Sequence, residues 1–376
     1  MLGHSAPSIA GGGYNWRRLV ADIAEQKRVT VKGLAALLAD ELAEPPETVR
    51  KGLQRLQTGK SGAAGKYGTL LLNRFPVVAQ AEAIGRHIGQ YHGPAADLPA
   101  EIRAAWIAVY DSPPSSQTAA GDWLMVARAG LAIWRQDFQA ASGELAKVKL
   151  QRASTELRLE VLSVSAFVES RSNRRSEVTR TLAQFSQFLD EHRAELPPAA
   201  AACYFARWVD QQAYELYKPQ PPQVPDLHAA LGLYSQIPKG GPVFSQVRRE
   251  LGLSLVWLKM AQADTALLHA RNAVDIAGDG ALVRLRAQAL RQQARCLEEL
   301  GDRHTAQQLR ARALAIADRL GDDNLAARLG GQFGRLACGD QAATFGDAAG
   351  GESPLQAAPN AASDAVAPRF ASLARG

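Results

Sequence analysis

The residues with the clearest chemical capability are cations. Between Pro45 and Phe75 the chain carries Arg50, Lys51, Arg55, Lys60, Lys66 and Arg74 against the single acid Glu47. A local cluster of this kind attracts phosphate backbones, by releasing their counterions, or acidic protein surfaces. Other chemistry is excluded by spacing. Gly59-Lys60-Ser61 has the end of a phosphate-binding loop, but Gln54 stands where the first glycine is required and the preceding segment reads as helix. His87 and His92 are five residues apart, which puts their rings on different faces of a helix, so no metal site is expected. Nothing reads as a nucleophile elbow, and Gly11-Gly12-Gly13 opens no dinucleotide fingerprint. No catalytic residue, metal or cofactor is called for, and the chain is expected not to be an enzyme.

A second polar group is set inside an apolar, aromatic helix, Tyr204 to Tyr217. Asp210, Gln211 and Gln212 there either line a ligand pocket or form a hydrogen-bonded pair between packed helices, since buried polar groups need partners in both cases. The stripe Trp208, Tyr214, Tyr217 reads as core.

The elements that must position these groups are helices. The chain has 376 residues, 47% hydrophobic and 21% charged, the composition of a globular protein with a large core. Its 43 Lys+Arg and 37 Asp+Glu leave a formal charge of +6. Residues 1–75 hold eleven of the cations and six of the acids, so nearly all of the excess sits there. Three scattered cysteines, Cys203, Cys296 and Cys338, fit neither a disulfide framework nor a zinc site. With no membrane-length apolar run and no signal-peptide pattern, a soluble cytoplasmic protein is expected.

From Tyr14 onward the apolar period is helical, so the fold class expected is all-α. Trp16, Leu19 and Ile23 mark a helix over 16–26. Thr30 caps a second, with Val31, Leu34, Leu38 and Leu42 on one stripe, and a third runs from Glu47 to Gly59. On the third, Val49, Leu53 and Leu56 form the buried stripe, leaving Thr48, Arg50, Lys51, Gln54 and Arg55 outward, with Lys60 just beyond. Leu34 to Leu38 followed by Pro46-Glu47-Thr48-Val49-Arg50 resembles a helix-turn-helix module, over about residues 16–58. The resemblance implies duplex-DNA binding through Thr48, Arg50, Lys51, Gln54, Arg55 and Lys60. Two features oppose it: the connection Ala39 to Pro46 is longer than the usual turn, and it carries Asp40, Glu41 and Glu44.

Further along, Leu290, Ala294, Leu297, the turn Gly301-Asp302, Ala306, Ala313 and Leu314 sit where a tetratricopeptide repeat places its packing residues. Trp257, Ala266 and Ala273 repeat the frame forty residues earlier. Ala129, Phe138, Ala141 and Leu145 repeat it around Asp137. The chain departs from that family in its period of 40 and in having Asp318 where the closing proline belongs. The resemblance implies an α-solenoid of antiparallel helix pairs that binds a protein or peptide on its concave face, where the frame puts Arg248, Lys259, Arg291, Arg295 and Glu298. Such cations suit an acidic peptide or a terminal carboxylate.

The organisation expected is a flexible leader at 1–13, a basic helical module at 14–60, a connecting helical region at 61–116, a tetratricopeptide-like array at 117–338 and an Ala/Gly/Pro-rich disordered tail at 339–376. The function expected is a non-enzymatic transcription regulator whose array binds a protein or peptide partner. The alternative is an adaptor whose N-terminal module only caps the repeat stack. The oligomeric state is left open.

Overall fold

The computed structural model describes residues 15–59, 65–75, 77–217 and 224–330. The leader, Lys60, Cys338 and the tail lie outside these residues. All described residues belong to one compact unit, Met1–Phe333. The fold is all-α, a solenoid of sequentially packed helices, and an isolated bridge between Asn15 and Pro114 is the only β pairing among the described residues. Among them, no helix is long and apolar enough to cross a membrane.

The N-terminal helices are α1 (Trp16–Gln26), α2 (Val31–Leu42), α3 (Pro46–Gln57) and α4 (Lys66–Arg74). Asn15 and Thr30 cap the first two, their side-chain oxygens accepting from the Arg18 and Gly33 amides. Trp16, Leu19, Ile23, Leu34, Leu38, Val49, Leu53 and Leu56 form a buried core of their own, built from the stripes the spacing predicts. The connection between α2 and α3 is shorter than the sequence suggests. Helix α2 continues to Leu42, and Ala43, Glu44 and Pro45 alone make the turn. Ala43 adopts the left-handed conformation (φ 50°) that ends α2 abruptly.

Two helices, α5 (Val77–Gly89) and α6 (Ala100–Tyr110), lead into the array. The array comprises α7 (Ala119–Trp134), α8 (Phe138–Leu145), α9 (Thr155–Arg171), α10 (Arg175–Glu191), α11 (Pro198–Tyr217), α12 (Leu227–Ser235), α13 (Val243–Lys259), α14 (Ala263–Asp279), α15 (Val283–Glu299), α16 (Arg303–Leu320) and α17 (Asp323–Gly330). From α13 onward successive helices start twenty residues apart, which gives a forty-residue pair. Alanines make the close approach of these helices possible: Ala266, Ala270, Ala273 and Ala277 of α14 and Ala306 and Ala313 of α16 are fully buried. Ser254 takes the place that Ala294 holds forty residues later, its hydroxyl satisfied by donating to the Ala266 carbonyl at 2.8 Å.

One turn recurs five times. Between α7 and α8, α9 and α10, α13 and α14, α14 and α15, and α15 and α16, three residues connect the helices, and the middle one is left-handed: Gln136, Asn173, Ala261, Ala281 and Gly301. In each, the third residue's amide donates to the carbonyl five positions back, for example Gln262 to Trp257 at 2.9 Å and Asp302 to Leu297 at 2.9 Å.

The solenoid curls until its end meets its beginning. Leu325 and Leu329 of α17 share one buried cluster with Leu124, Ala127, Leu131 and Trp134 of α7. Arg284 of α15 pins this closure. Its Nε donates to Asp322 at 2.9 Å, its backbone amide donates to Asp97 at 2.8 Å, and its guanidinium lies over the rings of Trp134 and Tyr91. Arg284 and Asp322 are both buried.

Candidate functional site

Two surfaces concentrate functional chemistry. The first is the outward side of α3, where Thr48, Lys51, Gln54 and Arg55 are exposed. Arg50 is less free: Glu47, one turn earlier, accepts from its Nε and Nη2 at 2.9 and 2.6 Å, a bidentate pair within the helix. The acids that oppose DNA binding in sequence are mostly held. Glu44 accepts from Lys66 and from the Tyr67 hydroxyl, which keeps its carboxyl below the ordinary range, and Glu41 pairs with Arg74. Tyr67 reaches Glu44 across Gly52, where any side chain would overlap the phenol ring.

The second is the interior of the curled array, a cavity of about 490 Å³. Its wall comes mainly from the first helix of each pair, because the same turn of α13 and of α15 faces inward. Arg248, Leu251, Gly252 and Leu255 line it, and so do Gln288, Arg291, Gln292 and Arg295, each forty residues on. Helices α9 and α11 present the stripes Glu160, Ser163, Phe167 and Arg207, Gln211, Tyr214. Among the described residues nine cationic side chains line the cavity against three carboxylates, Glu160, Asp210 and Glu215.

Half of this wall is self-satisfied. Glu160, fully buried on α9, accepts from Arg207 at 2.6 Å, from the Tyr204 hydroxyl and from the Tyr91 amide. Asp210 accepts from Arg248 at 3.0 Å and from the Tyr234 hydroxyl at 3.0 Å. Arg248 also donates to the Tyr91 hydroxyl at 2.8 Å, and Arg207 lies over the Tyr91 ring. Burial alone would push the Tyr91 phenol up, but Arg284, Arg248, Arg328 and Arg207 pull it below its ordinary value. Burial holds the phenols of Tyr217 and Tyr234 well above theirs, so both stay protonated.

The other half is short of acid. Among the described residues Arg103, Arg171, Arg291, Arg295 and Arg328 form no ion pair, and the Nε atoms of Arg103 and Arg291 are buried without a hydrogen-bond partner. Burial, reinforced by the charges of Arg295, Arg310 and Arg171, lowers the Arg291 guanidinium to about 10. Burial with Arg284 and Arg171 does the same to Arg328, also to about 10. For a guanidinium this marks a site short of negative charge. Arg171 rests instead over the rings of Phe167 and Tyr214. Replacing Arg291 by Met is therefore expected to raise the stability of the empty protein, on the order of 1 kcal/mol, by removing a buried, unpaired charge. A lower melting temperature for Arg291→Met would contradict it.

No family model matches this chain, and no curated protein does.

Of the groove residues expected from the repeat frame, Arg248, Lys259, Arg291 and Arg295 line the cavity, whereas Glu298 does not, because it pairs with Arg310 on α16. Asp210 and Gln211 answer to both readings offered for them. They line the cavity and are hydrogen-bonded across helices, Gln211 to the Ser163 carbonyl at 2.9 Å. Trp208 is core, donating to the Leu182 carbonyl, but Tyr214 and Tyr217 reach the cavity wall. The sequence reading missed Arg103, Arg171, Arg207, Arg284 and Arg328. The stripe spacing of α9 and α11 could have singled out Arg207; Arg103 and Arg328 enter only through the ring closure. His87 stacks on Trp106 and His92 packs against Tyr204, so each is committed to packing.

Proposed function

We propose that this chain is a non-enzymatic regulator in which a tetratricopeptide-like array takes an anionic partner into its cationic interior and a helix-turn-helix-like module docks on duplex DNA. The array has the family's antiparallel pairs, its small packing residues and an inner wall made by the first helix of each pair. The DNA half rests on one observation: α3 follows α2 after a three-residue turn and carries an exposed polar face of Thr48, Lys51, Gln54 and Arg55. Glu41 at the end of α2 and Glu44 in the turn are engaged by Arg74 and Lys66, which softens their repulsion of phosphate.

Fluorescence anisotropy with duplex DNA over a salt series tests this half. Wild type is expected to bind with a steep loss of affinity as salt rises, and Lys51→Glu/Arg55→Glu to remove measurable binding while far-UV circular dichroism stays unchanged. Wild type that fails to bind even at low salt would leave the adaptor reading, which the Arg50–Glu47 pair favours because it withdraws one cation from the face.

A further inference from the structure

The uncompensated half of the cavity carries a more specific assignment, which rests on the reading that the array interior receives an anionic partner. We infer that its occupant is a compact polyanion carrying two or more phosphate groups, held by Arg171, Arg291, Arg295 and Arg328.

Three observations carry this. The first is size. The interior of the curled array holds a cavity of about 490 Å³, within the range of small-molecule sites and matched to a compact anion. The second is charge density. Nine cations face three carboxylates, and Glu160 and Asp210 are already spent on Arg207 and Arg248. A phosphate group brings about −1.5 to −2 charges and three acceptor oxygens into the space where a carboxylate brings one charge and two oxygens, so two phosphates neutralise a four-arginine cluster that carboxylates would leave in excess. The third is donor geometry. The cluster is made of guanidiniums, whose forks bind phosphate bidentately, and the Nε of Arg291 is a buried donor with nothing to donate to. Arg171, Arg295 and Arg328 come from α9, α15 and α17, so the occupant would join the early part of the array to its end. The protonated phenol of Tyr217 lies on the same wall and is suited to donate to a phosphate oxygen.

Isothermal titration calorimetry of the full chain at near-physiological salt tests the inference, with tripolyphosphate as the probe. Citrate and a glutamate-rich peptide of matched charge serve as comparisons. Tripolyphosphate is expected to bind one per chain, at least tenfold tighter than citrate. Arg291→Met/Arg328→Met, verified as folded by circular dichroism, should lose at least a hundredfold, while the exposed Arg312→Ala should change nothing. Unaltered tripolyphosphate affinity in the double variant would overturn the assignment. Tighter binding of the peptide would overturn the phosphate assignment and keep the anionic-partner reading. Absence of binding by all three probes would remove both.

Discussion

Asp322→Ala is expected to destabilise the chain by about 3–5 kcal/mol, because the lost carboxylate leaves the Arg284 guanidinium buried without its ion-pair partner. The same side chain also caps α17: its second oxygen accepts from the Leu325 amide at 2.9 Å, and a cap is worth about 1 kcal/mol more. The effect should be selective. Because Asp322 and Arg284 hold the end of the array against its beginning, the first structure lost should be the α7–α17 contact, seen as faster amide exchange at Leu325 and Leu329. Asp322→Asn keeps one acceptor oxygen, enough for the α17 cap or for Arg284 but not for both, and its NH2 then faces the other donor, so its loss should approach that of alanine. Urea denaturation measures both variants. A loss below about 1 kcal/mol for Asp322→Ala would show that apolar packing of α17 closes the ring without the ion pair.

The second large effect is expected from one added methyl group. A Cβ at Gly252 would stand 2.0–2.3 Å from three atoms of the Tyr234 ring, and Tyr234 is 1% exposed and tied through its hydroxyl to Asp210. The ring can retreat only by giving up its hydrogen bond to Asp210, so Gly252→Ala should cost about 3 kcal/mol, at the upper end for overpacking. The damage should reach the cavity, because Asp210 is also the acid that holds Arg248, and Arg248 holds Tyr91. Tyr234→Ala clears the ring, so the double variant should be far less destabilised than the sum of the single changes, and a double-mutant cycle by thermal unfolding reads that coupling directly. Additive losses would mean that α13 shifts as a body and that the ring contact is not what resists the methyl.

Both effects join residues far apart in the chain, and this is where sequence reasoning and structure divide the work. The helices themselves are locally encoded. Trp16, Leu19 and Ile23 repeat at helical spacing, Asn15 and Thr30 supply caps, and α1 falls where the spacing puts it. The end of α2 was less legible, because Ala43 takes a left-handed conformation that its side chain does not advertise. The repeated turn shows the same limit. Gly301-Asp302 is recognisable as a helix end, but Gln136, Asn173, Ala261 and Ala281 adopt the same conformation with no glycine to mark them, so the register between the pairs was readable mainly at the last one.

By itself, then, the sequence determined the all-α class, the forty-residue pairing from its alanines, the outward face of α3, and four of the arginine and lysine positions on the inner wall. These depend on periodicities within one or two helices, which short-range geometry settles. The tertiary structure alone decided that the array closes on itself and that arginines from α6, α9, α15 and α17 pool in one cavity with too few acids. Curvature builds up from a small rotation at every helix pair, and the sign and surplus of charge in the interior depend on which distant helices that rotation brings to face each other.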